Sequence, residues 1–210
     1  MIPFALLSMA RSGGHYVRGL LDSHPSVSCQ GEWVNRTTEE GFNPKPQATA
    51  LGVKLDKWDI DQLPMALPTL ICWGTRFVVL LRENQFEAAR SFAQVDKGGW
   101  WRARSGQVPP GPKRVELPVN VFQERWDEHA LWVERLKAEL PDTAVYLTYE
   151  QVVADPSGSL LPVWELLGVD PPLLVESPFI KLESRPLSET VGNYDQLVAA
   201  FSGTQYERYL

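Results

Sequence analysis

Residues 4–21 read FALLSMARSGGHYVRGLL, and the rest of the chain is interpreted around them. The apolar run at 4–7 is typical of a buried strand, and a polar break with two glycines follows at 11–15. Apolar residues then recur at helical spacing, which predicts a helix over 14–23. A strand, a glycine turn and a helix in this order are typical of a loop that cradles phosphate. The glycines let the backbone approach an anion, and the free N–H groups of the helix point at it.

Two side chains in this break suit an anion. Arg11 supplies a fixed positive charge and Ser12 a hydroxyl donor. The common phosphate loop, Gly-x-x-x-x-Gly-Lys-Ser/Thr, is absent, and without a Gly-Lys pair we do not expect a triphosphate and magnesium to be held as in kinases and ATPases. An ordinary strand-to-helix turn is the alternative interpretation of residues 11–14. The other segments of the chain distinguish the two interpretations.

Composition limits the class of protein. The chain has 210 residues, of which 44% are hydrophobic, and we predict a single domain over 1–210 with a sizeable core. The net charge of -6 argues against nucleic acid as a partner, so an anionic ligand would need a local basic pocket. The two cysteines give neither a disulfide framework nor a metal-binding spacing, and we predict no metal site.

The same sequence gives an expectation for location. The first residues lack the basic head and the small-residue cleavage site of a signal peptide, and no window approaches 18 apolar residues. We therefore expect a cytoplasmic protein with reduced cysteines and no transmembrane segment.

Strands alternate with helices along the chain. Apolar runs predict strands at 27–29, 51–55, 76–82 and 144–149 in addition to the first. Helical spacing predicts helices over 84–95, 118–140, 159–167 and 194–201. This alternation predicts an α/β fold, a P-loop-like and mostly parallel sheet flanked by helices on both faces. Because ligands bind at the carboxyl ends of such strands, the basic residues Arg11, Lys54 and Arg82 mark the expected site.

Four segments together resemble the sulfotransferases that use 3'-phosphoadenylyl sulfate (PAPS), and most closely the bacterial carbohydrate and nodulation-type branch of that family. They are RSGGHY at 11–16, VVLLREN at 78–84 running to Arg90 and Ser91, the segment from 149 to 168, and the tail from 184 to 207. The resemblance implies the sulfotransferase fold and the transfer of a sulfuryl group from PAPS to a hydroxyl, or an amine, with adenosine 3',5'-bisphosphate as product and no metal.

The resemblance also implies which residues bind the donor. Those expected around the 5'-phosphosulfate are Arg11, Ser12, Gly13, Gly14, His15 and Tyr16. Those expected to hold the 3'-phosphate are Arg82 and Ser91, with Arg90 and Arg185 as further candidates. A strand-end ion pair for Arg82, a mid-helix polar residue for Ser91 and a solvated tail arginine for Arg185 are the alternatives.

Three residues are the candidates for catalysis. Glu32 matches the position of the glutamate base in the bacterial branch and would take the proton of the acceptor. His15 is the rival base, or a donor to phosphate. Lys54 would stabilise the departing charge or the sulfuryl oxygens.

The chain departs from the family pattern at His15, which is unusual in the cradle, and in two further places that bear on activity. Gly14 stands where the family usually has a hydroxyl, so one phosphate contact is either lost or supplied by backbone N–H. The stretch between Glu32 and Lys54 is short, which indicates a reduced acceptor pocket. These departures support an alternative, a catalytically weak nucleotide-binding or interaction protein of the same fold. A nucleotide kinase is a third possibility, against which the missing Gly-Lys pair argues.

The expected partner is a small-molecule or carbohydrate acceptor, whose identity the sequence does not give. We expect a monomer or a homodimer, since nothing in the sequence separates the two. The tail motif at 193–195 resembles that of the family, but its residues have no evident chemical role.

Overall fold

The structure is a computed structural model, and it describes residues 1–31, 44–62, 65–99, 102–107, 114–181 and 184–210. The chain divides into two compact units. The first unit is Met1–Glu83 with Glu134–Pro178, and the second is Asn84–Val133 with Phe179–Leu210. A single domain over 1–210 stays a prediction. Within the described ranges, no helix is long and apolar enough to cross a membrane.

The described parts of the chain contain these regular elements. The strands are β1 (Ile2–Ser8), β2 (Val27–Gln30), β3 (Ala50–Asp56), β4 (Arg76–Leu81), β5 (Ala103–Arg104), β6 (Val145–Thr148) and β7 (Phe179–Ile180). The helices are α1 (Gly14–Ser23), α2 (Lys57–Gln62), α3 (Ala66–Cys72), α4 (Gln85–Asp96), α5 (Val119–Glu139), α6 (Tyr149–Ala154), α7 (Pro156–Ser159), α8 (Leu161–Leu167), α9 (Leu187–Thr190) and α10 (Tyr194–Phe201). A 3-10 helix spans Glu207–Tyr209.

The first unit is built on a five-stranded sheet with the order β2-β3-β1-β4-β6. All four pairings are parallel. Ser8 at the end of β1 lies opposite Asp56 on one side and Leu80 on the other, so β1, β3 and β4 end at the same edge. The predicted α/β fold with a mostly parallel sheet is confirmed.

Both faces of this sheet are buried. Because side chains alternate along each strand, successive apolar residues enter the core on opposite faces. On one face, Phe4, Leu6, Val78 and Leu80 pack in a cluster that also holds residues of α1 and α8. The residues between them are buried on the opposite face: Ala5, Leu7, Phe77 and Val79. The apolar run at 4–7 is therefore continuous because it faces the core on both sides.

The end of α1 is fixed by a histidine. The Nδ1 atom of His24 accepts the backbone N–H of Ser26 at 3.0 Å, so its Nε2 carries the proton and donates to the carbonyl of Asp170 at 2.9 Å. The ring packs against Trp164 with the ring centroids 5.4 Å apart. His24 thus has a structural role in the first unit.

The second unit has an aromatic core that includes Phe86, Phe122 and Phe201. The tail motif at 193–195 secures the chain beside this core. The side chain of Asn193 accepts the N–H of Leu117 at 2.9 Å and donates to its carbonyl at 2.7 Å. Tyr194 donates its hydroxyl to the carbonyl of Leu210 at 2.7 Å, so the motif has a packing role.

The two cysteines are expected to differ in reactivity. Cys29 is buried in β2, and burial raises the pKa of its thiol to about 12, whereas Cys72 is exposed. Because only the thiolate is nucleophilic, we expect a thiol reagent to modify Cys72 in the native protein and Cys29 only after denaturation. Counting modified thiols by mass spectrometry before and after adding denaturant measures this. Rapid native labelling of a Cys72→Ser variant would contradict it.

Candidate anion-binding site

The loop between β1 and α1, residues 11–14, is called the cradle loop below. Arg11 has a φ of 67°, the one left-handed value at a non-glycine residue in the described ranges, and Gly13 has a φ of 86°. The N–H of Ser12 donates to the carbonyl of Met9 at 3.2 Å and closes the turn. These conformations bring the start of α1 directly to the carboxyl edge of the sheet.

Helix α1 begins without a side-chain cap. Gly13 occupies the N-cap position and has no side chain to accept a hydrogen bond. The first N–H groups of a helix have no partner within it and carry a partial positive charge. The start of this ten-residue helix therefore offers donors to an anion.

Two buried serine hydroxyls lie at this helix start. Ser8 is 0% exposed and Ser12 is 1% exposed. Neither Oγ atom has a hydrogen-bond partner among the described residues. A buried hydroxyl without a partner costs free energy, about 1–3 kcal/mol, so native proteins seldom retain one without a use for it. Ser8 is not among the residues predicted for this site, because its only signal in the sequence is a polar residue at the end of an apolar strand.

Both glycines of the cradle loop are closely packed. A Cβ atom on Gly13 would overlap the ring of Tyr149. A Cβ atom on Gly14 would lie 2.6 Å from Cε of Lys54 and 2.7 Å from Oγ of Ser8. The absence of side chains thus lets Tyr149, Lys54 and Ser8 pack directly against the backbone of the loop.

Lys54 extends from β3 to the start of α1. It is 4% exposed and lies opposite Leu6 of β1 in the sheet. Burial is the largest influence on the pKa of Cys29 and raises it. The positive charges of Arg18 and Lys54 act in the opposite direction and lower it. The guanidinium of Arg18 lies against Gly31, with Nη1 2.7 Å from the position of a Cβ there. Lys54 and Arg18 make this edge of the sheet locally basic although the chain is acidic overall.

Arg82 follows β4 and braces the cradle loop. Its Nη1 donates to the carbonyl of Arg11 at 2.8 Å. Its guanidinium carbon lies 4.7 Å from the centre of the Tyr149 ring, and its Nε lies 4.0 Å from a carboxylate oxygen of Glu150. The structure thus joins Arg82 to the loop, while its contact with a 3'-phosphate stays a prediction.

Tyr149 is the second residue that sequence analysis did not assign to the site. Its ring packs edge-on against Tyr16 with the centroids 6.3 Å apart, and it also contacts Gly13 and Arg82. Burial raises the pKa of the Tyr16 phenol, so that group stays neutral. Tyr149 thus forms the wall that holds the loop, the helix start and Arg82 together.

His15 and Glu32, the two candidate bases, differ in what the structure describes. His15 is the second residue of α1 and is half-buried at the helix start. Glu32 lies outside the described residues, and Gly31 just after β2 is the last described residue before it. The roles of both stay predictions.

Three of the predicted 3'-phosphate ligands belong to the second unit. Arg90 is 1% exposed, with Nη2 2.7 Å from the carboxylate of Glu87 and Nη1 2.8 Å from the carbonyl of Arg185. Its Nη1 also lies 3.3 Å from Oγ1 of Thr190, so Arg90 secures the tail to α4. Ser91 is half-buried and Arg185 is exposed. Phosphate binding by these three residues stays a prediction.

In the ranges that the structure describes, no group of three or more His, Cys, Asp or Glu residues could hold a metal ion.

Comparison with known proteins identifies the fold first. The crystal structure of a sulfotransferase from Alicyclobacillus acidocaldarius matches with a TM-score of 0.55, over 100% of this chain and 98% of that one, at 13% sequence identity. The fold is therefore that of the sulfotransferases. No protein-family profile matches the chain.

Sequence relatives bear on the predicted branch. The chain is 27% identical to Nodulation protein H of Rhizobium meliloti (strain 1021), over 99% of this chain and 94% of that protein. It is also 27% identical to Nodulation protein H of Rhizobium tropici, over 99% of this chain and 92% of that protein. The predicted resemblance to the PAPS-dependent sulfotransferase family, in its nodulation-type branch, is confirmed.

Proposed function

We propose that this protein is a PAPS-dependent sulfotransferase that moves a sulfuryl group to a hydroxyl, or an amine, of a small-molecule or carbohydrate acceptor. One observation carries the proposal: the uncapped start of α1 meets two buried serine hydroxyls that have no partner among the described residues. All these groups can donate to an anion, and Lys54 adds a positive charge beside them. The full-length similarity to Nodulation protein H supports the same conclusion.

The cradle loop holds the 5'-phosphosulfate end of the donor in this proposal. Arg11 neutralises the phosphate, while Ser12 and the N–H groups that follow Gly13 donate hydrogen bonds. Arg82 orients the loop and faces the 3'-phosphate. Ser91, Arg90 and Arg185 are the further candidates for that second phosphate.

The chemical step is an in-line displacement at sulfur. The acceptor oxygen forms a bond to sulfur as the bond from sulfur to the 5'-phosphate oxygen breaks, and the electron pair of that bond goes to the phosphate. Glu32 takes the proton of the acceptor hydroxyl, with His15 as the alternative base. The Lys54 ammonium and the start of α1 stabilise the negative charge that develops on the leaving oxygen.

Donor specificity is the first test. Calorimetry should show tight binding of adenosine 3',5'-bisphosphate, weak binding of AMP and no magnesium-dependent binding of ATP. The difference arises because only the bisphosphate offers a second phosphate to the arginines. Equal affinity for the bisphosphate and AMP would overturn the PAPS proposal, and magnesium-dependent binding of ATP would support a kinase.

Substitution of the base separates turnover from binding. We expect Glu32→Gln to lower sulfuryl transfer to a screened acceptor by about 100-fold or more, with the affinity for the bisphosphate unchanged. His15→Gln is the matched variant for the rival base. If Glu32→Gln keeps full turnover and His15→Gln loses it, His15 is the base. Nucleotide binding without turnover to any acceptor in the wild type would favour the nucleotide-binding protein.

A further inference from the structure

Ser8 of β1 differs from Ser28, a buried serine on another strand of the same sheet. Ser28 of β2 is also buried, and its Oγ accepts a hydrogen bond from Nε2 of Gln30 at 2.9 Å. The Oγ of Ser8 has no such partner among the described residues, although the residue is completely buried. The sheet therefore accounts for the hydroxyl of Ser28 and leaves that of Ser8 without a structural use.

The surroundings of Ser8 indicate what would use it. Its Oγ lies 2.7 Å from the position of a Cβ on Gly14, the first residue of α1. The hydroxyl is thus in contact with the helix start, beside the Lys54 side chain. A group that accepts from the helix N–H groups and is attracted by a nearby ammonium is an anion, and it can also accept from the Ser8 hydroxyl.

Gly14 is what makes this contact geometrically available. A side chain at position 14 would enter the space that Ser8 Oγ and Lys54 Cε now occupy. Because position 14 is glycine, Ser8 Oγ and Lys54 Cε both lie against the helix start, and only backbone separates them from the cradle loop. The polar group that position 14 lacks is replaced by one that approaches from the strand below.

We propose that Ser8 is an anion-binding residue, whose hydroxyl donates to a non-bridging oxygen of the phosphate or sulfuryl group at the start of α1, and that Gly14 is required for this contact. The identity of the anion as a 5'-phosphosulfate rests on the proposed function. Ser8 thereby supplies the hydroxyl contact that the Gly14 departure removes.

Ser8→Ala is the decisive variant because ligand binding and folding should respond in opposite ways. Without ligand, its melting temperature should equal or exceed that of the wild type, since the variant buries no unsatisfied hydroxyl. Its affinity for adenosine 3',5'-bisphosphate should fall by about tenfold or more, as expected for a lost hydrogen bond to a charged group. Ser28→Ala is the matched control, with a lower melting temperature and unchanged affinity.

Pyrophosphate serves as a second probe, so that failure of this proposal can be told from failure of the proposed function. Loss of pyrophosphate binding in Ser8→Ala would support the role of Ser8 even if the wild type showed no preference for the 3'-phosphate. Wild-type affinity of Ser8→Ala for both probes, or a lower melting temperature without ligand, would overturn it. Binding of neither probe by the wild type would overturn both proposals.

Gly14→Ala tests the second half of the proposal. Its methyl group should displace Ser8 or Lys54 and lower the affinity for pyrophosphate by about tenfold or more, the loss of one charge-assisted hydrogen bond. In the Ser8→Ala background the same substitution should cost less affinity, because the hydroxyl is already absent. Equal losses in both backgrounds would show that Gly14 does not act through Ser8.

Discussion

Arg82→Ala is expected to destabilise the protein and to weaken donor binding at the same time. The substitution removes a hydrogen bond to the carbonyl of Arg11 and the packing of a cation on Tyr149. A hydrogen bond from a charged group and a cation–π contact together predict a loss of roughly 2–4 kcal/mol in the free energy of unfolding. Chemical denaturation measures this loss, and calorimetry with adenosine 3',5'-bisphosphate measures the affinity.

The ratio of two affinities decides what Arg82 does. If Arg82 contacts the 3'-phosphate, Arg82→Ala should lower the affinity for the bisphosphate far more than that for pyrophosphate. If it only braces the loop, both affinities should fall by the same factor. Unchanged affinity for both ligands would contradict both roles.

Arg82→Lys is the matched variant because it keeps the charge. Lysine lacks the planar fork that reaches the Arg11 carbonyl while lying over the ring of Tyr149. We therefore expect Arg82→Lys to recover little of the stability lost in Arg82→Ala. A lysine variant as stable as the wild type would show that charge alone is sufficient at this position.

The sheet and the helix after the cradle loop could be predicted from local patterns. The predicted helix over 14–23 is confirmed as α1. Its bounds are predictable because glycine precedes it and a His-Pro pair follows it. The tail helix at 194–201 is likewise confirmed as α10. Both elements bury one face with a clear period, and such patterns depend only on neighbouring residues.

The position of Tyr149 is predicted wrongly, although the sequence carries a local signal for it. The prediction placed it in a strand over 144–149, whereas it begins α6 after β6 ends at Thr148. Thr148 and Gln151 form a capping box, which marks a helix start in the sequence. This signal would have placed the Tyr149 side chain at the carboxyl edge of the sheet.

Arg90 shows what a sequence pattern cannot reveal. Its partners, the carbonyl of Arg185 and Thr190, lie about 100 residues further along the chain, and only the fold brings them together. The cost of burying a guanidinium is offset by the carboxylate of Glu87 and by these oxygens. A buried arginine near a motif can therefore be structural, and a ligand role needs its own test.

Gly13→Ala is expected to destabilise the protein more than any other single added methyl group in the cradle loop. Its φ of 86° is in the left-handed region, and the Cβ would overlap the ring of Tyr149. That ring is held by Tyr16 on its edge and by Arg82 on its face, so it cannot move without breaking other contacts. Left-handed backbone and overpacking together predict a loss of about 2–4 kcal/mol in the free energy of unfolding.

Gly74→Ala separates these two causes. Gly74 has a φ of 69°, and no described atom lies within 4 Å of the position of its Cβ. Its substitution should therefore cost only the backbone strain, about 1 kcal/mol. Chemical denaturation of both variants gives the difference in the free energy of unfolding that belongs to the Tyr149 contact.

Gly13→Ala should also lose affinity for the bisphosphate while Gly74→Ala keeps it, because displacement of Tyr149 removes the support of Arg82. Equal destabilisation by the two substitutions would mean that Tyr149 does not lie against the cradle loop, and the loop would then have to be held by Arg82 alone.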